Sequence, residues 1–238
     1  MSLPKINQPI FELKLPSNGK KIKYRPFTVK EEKILLIAQE SDDIDQTILS
    51  IEQVISNCII DYDVKDLAIF DIEYLLMNIR AKAVNNEVKF TVYDAKEKED
   101  IEISLDINEI KIEVANKKDT VIEIADNTYL KMKYPSIRIA KHLISNNEKE
   151  SDEDKSNKLY DILKECIASL TMDGQVYKLV DFTDTEINDF IDSLPGDALQ
   201  KVKEFFENMP SMKIEKKYTN SKGEEKTFVA KGTETFFL

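Results

Sequence analysis

The spacing of hydrophobic and polar positions changes period twice along this chain. Helical spacing gives way to strict alternation between Glu87 and Lys133 and then returns. Alternation indicates β-strands with one wet face, whereas spacing of three and four residues indicates amphipathic helices. The pattern therefore predicts an α+β protein, with helical units at both ends around a central antiparallel β meander. The predicted units span residues 1–86, 87–135 and 136–238.

The N-terminal unit is predicted to hold a β-hairpin followed by three helices. Alternation on both sides of Pro16 to Gly19 indicates the hairpin and its turn. Thr28 followed by Glu31 is a capping box, which places the start of the first helix. The second helix starts after Asp43 and the third around Asp71. The predicted inward positions are Ile34, Leu35, Ile37, Ala38, Ile44, Ile48, Ile51, Ile55, Cys58, Ile72, Leu75, Leu76 and Ile79.

The central unit reads as five short strands in sequence. Isoleucine and valine alternate there with lysine and glutamate, so one face of the sheet is expected to be wet. The charged side chains are ordinary protection of an open sheet edge and need no functional explanation. The predicted strands are Val88–Tyr93, Ile101–Leu105, Ile110–Val114, Val121–Ile124 and Thr128–Met132.

The C-terminal unit begins after Pro135, which ends the strands. A short helix is predicted around residues 137–144. The polar, acidic run at residues 145–157 is predicted to be a mobile loop. A further helix is predicted to run through Leu170 to a turn at Asp173-Gly174.

The last 55 residues form the most distinctive segment of the sequence. They predict two amphipathic helices, the first capped by Thr183 and the second stopped by Pro210, then a hairpin with its turn at Asn220 to Gly223. Three large apolar residues end the chain, and they are expected either to pack on their own domain or to insert into a partner. The candidate partner-binding residues are Leu199, Val202, Phe205, Phe206, Met209, Phe236, Phe237 and Leu238.

Composition narrows the possible function classes. A formal net charge of -11 argues against nucleic-acid binding, because phosphate backbones repel an acidic chain. The two cysteines, Cys58 and Cys166, lie in apolar helical patterns and are predicted to be buried structural thiols. Neither a signal peptide nor a run of membrane-spanning length is recognised, so we expect a soluble protein that does not bind membranes.

No catalytic residue, cofactor site or metal site is predicted. The single histidine, His142, lacks partners at the spacing of a metal site or a catalytic triad. The aspartates at 61, 63, 66 and 71 lack the glycine that a calcium loop needs, and loop charge and helix capping explain them better. A divalent-metal-dependent enzyme using Asp61, Asp63 and Asp71 is kept as an alternative.

Four residues are assigned structural roles: Asp71, Arg80, Pro135 and Pro210. Arg80 lies at the polar edge of an apolar helix, and two interpretations of it are equally open. It either pairs with a carboxylate across the helix and sheet or is a solvated cation favoured by the helix dipole.

The order of several short motifs resembles that of a known protein family over nearly the whole chain. The motifs are Tyr24-Arg25-Pro26-Phe27-Thr28 with Glu31-Glu32 and Leu35-Leu36, Phe70-Asp71-Ile72-Glu73-Tyr74-Leu75, Ile79-Arg80-Ala81-Lys82-Ala83-Val84, Tyr134-Pro135, Phe190-Ile191-Asp192-Ser193-Leu194-Pro195, Phe205-Phe206-Glu207-Asn208-Met209-Pro210, and Gly232 before Phe236-Phe237. This order is similar to that of the baseplate hub and hub-assembly proteins of T-even-type contractile-tailed bacteriophages. It departs from them at Tyr218 to Gly223, where relatives often carry a cysteine-containing knuckle and this hairpin has no thiolate to bind zinc.

The resemblance implies a protein without catalytic chemistry that acts through protein-protein contacts. It would be either a baseplate hub subunit or a transient assembly chaperone for the hub or tape-measure proteins, absent from the mature virion. The implied partners are other phage tail proteins, and the implied locations are the host cytoplasm during assembly and the virion baseplate. A regulatory module that adds a peptide strand to its sheet is a third possibility, which the charged strands disfavour.

Overall fold

The protein has the predicted α+β architecture. Its structure is a computed structural model, which describes residues 3–4, 6–41, 43–84, 87–94, 99–106, 111–113, 120–139 and 151–231. The α-helices of this part are α1 Val29–Gln39, α2 Ile44–Cys58, α3 Ile69–Ala83, α4 Asp152–Cys166, α5 Asp184–Asp192 and α6 Gly196–Glu207. Its strands are β1 Phe11–Lys14, β2 Lys21–Tyr24, β3 Ile59–Ile60, β4 Glu87–Asp94, β5 Glu99–Asp106, β6 Lys111–Glu113, β7 Val121–Ala125, β8 Thr128–Met132, β9 Ile167–Met172, β10 Gln175–Lys178, β11 Ser211–Thr219 and β12 Glu225–Lys231. The described helices include none that is long and apolar enough to cross a membrane.

The chain forms two compact units. The first contains residues 1–113 and 211–238, and the second contains residues 114–210. The N-terminal and C-terminal hairpins predicted from sequence both belong to the first unit. The division into three units, at residues 86 and 135, stays a prediction.

Helix α3 supplies much of the core of the first unit. Ile72, Leu75 and Ile79 are fully buried as predicted, and Phe70 and Met77 are buried as well. A helix that buries residues on most of its circumference belongs inside a core rather than on its surface. Around it, β1, β2 and β3 form an antiparallel sheet, with Leu13, Ile22 and Tyr24 among its buried side chains.

The strands predicted for residues 87–132 are all present, and they pair in three separate sheets. Strands β4 and β5 pair with each other, and β7 and β8 pair in the second unit. Strand β6 pairs with β11, where Glu113 lies opposite Ser211. The local sequence pattern does not indicate which distant strand β6 pairs with. The entropic cost of closing a loop rises only slowly with its length, so a partner far away in sequence is possible.

The second unit is built on an antiparallel sheet of four strands in the order β10-β9-β8-β7. Its core combines one face of this sheet with side chains from α4, α5 and α6. The buried members are Ile124, Leu130, Met132, Ile139, Leu163, Cys166, Ile167, Leu179, Ile191, Ala198, Val202 and Phe205.

Two predictions for the second unit are wrong. The acidic run was predicted to be a loop as far as residue 157, but α4 starts at Asp152, where Ser151 and Asp154 form a capping box. The helix predicted to reach Leu170 ends at Cys166, and Ile167–Met172 is strand β9, paired with β8 and β10. Apolar residues continue at helical spacing across this junction, so periodicity alone does not mark it. Of the helix predicted at residues 137–144, Ile137–Ile139 is a 3₁₀ turn, and residues 140–150 lie outside the described part.

The turn between β9 and β10 requires left-handed backbone angles. Asp173 has φ of 49° and Gly174 has φ of 81°, the arrangement of a two-residue hairpin turn with positive φ at both centres. We expect Gly174→Ala to lower the free energy of unfolding of the second unit by about 1–2 kcal/mol, since only glycine adopts this conformation without steric cost. Urea unfolding followed by circular dichroism measures the change.

The matched control for Gly174→Ala is Gly196→Ala. Gly196 opens α6 without a positive φ, and an added Cβ would meet no atom within 4 Å. Alanine is a better helix former than glycine, so this substitution should leave stability unchanged or raise it by as much as about 1 kcal/mol. Equal losses in both variants would contradict the conformational explanation.

Candidate functional site

A part-buried ion pair holds the start of α1. One Arg25 nitrogen, Nη2, donates to Glu31 Oε1 at 3.1 Å, and the carboxylate also accepts from the Thr28 backbone amide at 2.9 Å and the Thr28 hydroxyl at 2.6 Å. The Glu31 side chain is 2% exposed. The Arg25 amide donates to the Cys58 carbonyl at 2.9 Å, which joins this corner to the end of α2. The motif at residues 24–31 is therefore a structural corner of the first unit.

The pKa of Glu31 reflects these contacts. Burial by itself would raise it, but the hydrogen bonds from Arg25 and from the side chain and backbone of Thr28 outweigh burial and lower the pKa from 4.5 to about 2. The carboxylate is therefore ionised throughout the physiological range. A group held this firmly in one protonation state supports structure and is poorly suited to acid-base chemistry.

Asp71 is a second buried carboxylate, in the first turn of α3. Its Oδ1 accepts from the Ser17 amide at 2.9 Å, which ties the hairpin turn to the helix, whereas Oδ2 is buried without a hydrogen-bond partner. Burial raises the pKa of Asp71 above its ordinary value, against the lowering effect of the hydrogen bond from Ser17. Because Asp71 is buried and accepts a hydrogen bond from the hairpin turn, it has a packing role and is inaccessible to a substrate.

We expect Asp71→Asn to keep the free energy of unfolding at pH 7 at or above that of the natural chain. An amide can still accept from Ser17 and costs less to bury than a carboxylate. Asp71→Ala removes the acceptor and should cost about 1–3 kcal/mol. Guanidinium unfolding of both variants tests the pair, and a loss of stability in Asp71→Asn as large as that in Asp71→Ala would contradict the expectation.

Both cysteines are buried free thiols, as predicted. Burial is the main cause that raises the pKa of Cys58 to about 11 and of Cys166 to about 12. Protonated, enclosed thiols are neither nucleophiles nor metal ligands at neutral pH.

The aspartates of the metal-enzyme alternative serve separate local roles. Asp63 Oδ1 accepts from the Lys65 amide at 3.0 Å and caps a 3₁₀ turn, Asp61 is exposed with φ of 59°, and Asp71 is buried in α3. Among the residues that the structure describes, no group of three or more potential ligands could hold a metal ion. His142 lies outside them.

The candidate partner-binding helix turns most of its apolar face towards its own core. Val202 and Phe205 of α6 are buried, and the Phe205 ring stacks on Tyr134 with a centroid distance of 5.4 Å. Phe206 and Met209 are half-buried, and Leu199 is 41% exposed. The other three candidates, Phe236, Phe237 and Leu238, lie outside the described residues.

The residues given structural roles occupy different environments. Pro135 and Pro210 are buried, in keeping with positions where regular structure changes direction. Arg80 is exposed in the last turn of α3 and forms no ion pair with another described side chain. The arginine that pairs with a buried carboxylate is Arg25, which sequence reasoning did not select.

An open apolar groove in the second unit is a surface feature that sequence reasoning missed. It has a volume of about 310 Å³ and lies between the β9-β10 hairpin and α5. Its lining residues are Leu170, Met172, Tyr177, Leu179, Phe182, Glu186, Ile187 and Phe190. The available signal was the Asp173-Gly174 pair, which indicates a hairpin turn and hence a strand before it.

Comparison with known proteins identifies the family. Residues 8–238 match the family model described as T4 bacteriophage base plate protein. No curated protein and no solved structure gives a significant match to the chain. The match covers both units and nearly all of the sequence, including the motifs that carry the resemblance to tail proteins. The chain therefore belongs to the family of T4-type bacteriophage baseplate proteins.

Proposed function

We propose that this baseplate protein is a non-enzymatic component or assembly factor of the central hub. The observation that carries the proposal is the family match along residues 8–238. The hub assignment rests on the ordered motifs from Tyr24 to Phe237 that resemble those of hub and hub-assembly proteins. Other tail proteins, namely hub or tape-measure proteins, would be its partners.

The chemistry of the described residues supports action through protein contacts. The Glu31 carboxylate, whose pKa is strongly lowered, is committed to an ion pair and a helix cap, and the thiols are enclosed. By contrast, the second unit presents an apolar groove with exposed residues at its rim. Exposed apolar surface of this kind is typical of protein-binding sites.

Mass spectrometry of purified mature particles, beside a pull-down from infected cells with this protein as bait, tests the proposal. We expect the bait to capture hub or tape-measure proteins. Presence in the particles as well would make the protein a resident hub subunit, and absence would make it a transient assembly chaperone that acts in the host cytoplasm. Failure to capture any tail protein, together with absence from particles, would overturn the proposal.

The apolar chain terminus is proposed to take part in this docking. Deletion of residues 232–238 removes Phe236, Phe237 and Leu238 and should reduce capture of the partner about tenfold or more, since buried aromatic anchors dominate binding energy. The matched control is Phe236→Tyr with Phe237→Tyr, which keeps the rings. A folded, truncated chain that still captures its partner normally would show that the terminus does not dock.

A further inference from the structure

The groove of the second unit is an outward continuation of its hydrophobic core. In the register of the sheet, Leu170 of β9 lies between Leu130 of β8 and Tyr177 of β10. Leu130 is fully buried, Leu170 is half-buried, and Met172, two residues further along the same face, is 42% exposed. Burial therefore decreases from Leu130 through Leu170 to Met172, along β9 towards the β9-β10 turn.

Helix α5 forms the opposite wall. Ile187 and Phe190 pack against the core and also line the groove, while Phe182, before the helix, is 41% exposed at the rim. The Tyr177 and Phe182 rings lie 6.4 Å apart and join the two walls. The helix is anchored at this end by its capping box, in which Glu186 accepts from the Thr183 amide at 2.8 Å and hydroxyl at 2.7 Å.

The polarity of the lining favours a protein side chain over a small polar ligand. Small-molecule sites combine apolar walls with a few polar groups aimed at the ligand. Here the acidic member of the lining, Glu186, is already engaged in the cap of α5, and the remaining lining is apolar apart from the Tyr177 hydroxyl. Apolar side chains of a docked segment match such a surface.

The segment that supplies most of the groove lining is strongly acidic. Residues 173–192 contain six carboxylates and one lysine, Lys178. All six carboxylate residues are exposed. Within the described part of the chain, Asp173, Asp181, Asp184 and Asp189 form no ion pair with a lysine or arginine. Exposed, unpaired carboxylates next in sequence to the lining of an apolar groove favour a partner of opposite charge.

We propose that this groove docks a segment of another tail protein in which large apolar side chains are flanked by lysines or arginines. The proposal deepens the proposed function and rests on it for the class of partner. The apolar residues would enter between Met172 and Phe182, and the basic residues would pair with Asp181, Asp184 and Asp189. Because these charges are exposed, raised salt should weaken the binding.

A peptide array that tiles the tail proteins encoded by the same phage genome tests the proposal, with the labelled full-length chain as the probe. We expect the retained peptides to combine large apolar residues with flanking lysine or arginine. Each should bind about tenfold more weakly to Phe182→Ala, which removes one wall, and to Asp181→Lys with Asp189→Lys, which reverses two of the exposed carboxylate charges. Fluorescence anisotropy with the retained peptides measures these changes.

Matched controls lie at the opposite edge of the same sheet, on or beside β7. Val121→Ala removes an apolar side chain that is 48% exposed, and Glu123→Lys with Asp126→Lys makes the same charge change as the charge-reversed variant. Both should bind like the natural chain. Circular dichroism confirms that each variant is folded before binding is compared.

Several results would overturn the proposal. These are an array that retains no peptide, retention dominated by acidic or uncharged peptides, and groove variants that bind as tightly as the controls. Retention of this chain's own residues 232–238 would assign the groove to a second copy. Empty arrays together with normal capture of hub proteins by the natural chain would reject only the groove, whereas failure to capture any tail protein, together with absence from particles, would reject the proposed function.

Discussion

Phe205→Ala is expected to lower the free energy of unfolding of the second unit by about 3–5 kcal/mol, the usual cost of emptying the site of a buried phenylalanine. The ring is 7% exposed, stacks on Tyr134 and makes an edge contact with Phe206, also at 5.4 Å. Its removal leaves a cavity between α6 and the sheet. Urea unfolding, with amide hydrogen exchange to assign the loss to residues 120–139 and 151–210, measures the effect.

Leu199→Ala is the matched control on the same helix. Its side chain is 41% exposed, so its truncation should change stability by less than about 0.5 kcal/mol. The pair of variants also distinguishes the two roles that sequence allowed for this helix. If α6 turned its aromatic face to a partner, Phe205→Ala would leave the isolated protein stable and would abolish partner capture. That result would contradict the packing of Phe205 in the core.

Glu31→Gln is expected to remove a pH-dependent contribution of about 3 kcal/mol, because the folded-state pKa of about 2 lies well below the ordinary 4.5 and each pKa unit corresponds to about 1.4 kcal/mol. A lowered acid pKa stabilises the folded state above pH 4.5. This stabilisation is lost progressively as the pH falls from 4.5 towards 2. The difference in unfolding free energy between the natural chain and the variant should therefore shrink on acidification.

The exposed pair of Lys21 and Glu12 provides the control for Glu31→Gln. Their charged atoms are 2.6 Å apart, closer than those of Arg25 and Glu31, but the side chains are 63% and 44% exposed. Solvent and salt screen such a pair, so Glu12→Gln should leave the unfolding midpoint nearly unchanged. Parallel pH profiles for Glu31→Gln and the natural chain between pH 4.5 and 2 would show that the carboxylate is not stabilised by its partners.

Two of the buried carboxylates, Glu31 and Asp71, act in opposite directions in acid. Glu31 has a lowered pKa, so its contribution to stability falls on acidification. Asp71 has a raised pKa, so the free-energy cost of burying its negative charge disappears when the carboxylate takes up a proton. The two groups therefore contribute to the acid sensitivity of the first unit with opposite signs, and Asp71→Asn should make unfolding more sensitive to acid than in the natural chain.

Local signals were sufficient for most of the secondary structure. The capping boxes at Thr28 and Thr183 are both formed, and α1 and α5 begin where they predict. Such signals depend on groups three residues apart, so the sequence contains all of the necessary information. The error at Ile167–Met172 arose where helical spacing continued into a strand. There, hydrogen bonding to β8 and β10 outweighed the local pattern.

The sequence by itself determined the α+β class, the two hairpins, the apolar faces of α2 and α3 and the family resemblance, because each depends on short-range spacing or on the order of motifs. On α1 it was wrong about Ile37, which is 50% exposed. Only the tertiary structure decided which surfaces meet. It paired β6 with β11, selected Arg25 as the partner of Glu31, turned Phe205 into the core and left the groove beside α5 open. Amphipathic spacing shows which face of a helix is buried, but the surface that covers this face depends on contacts between residues distant in the chain.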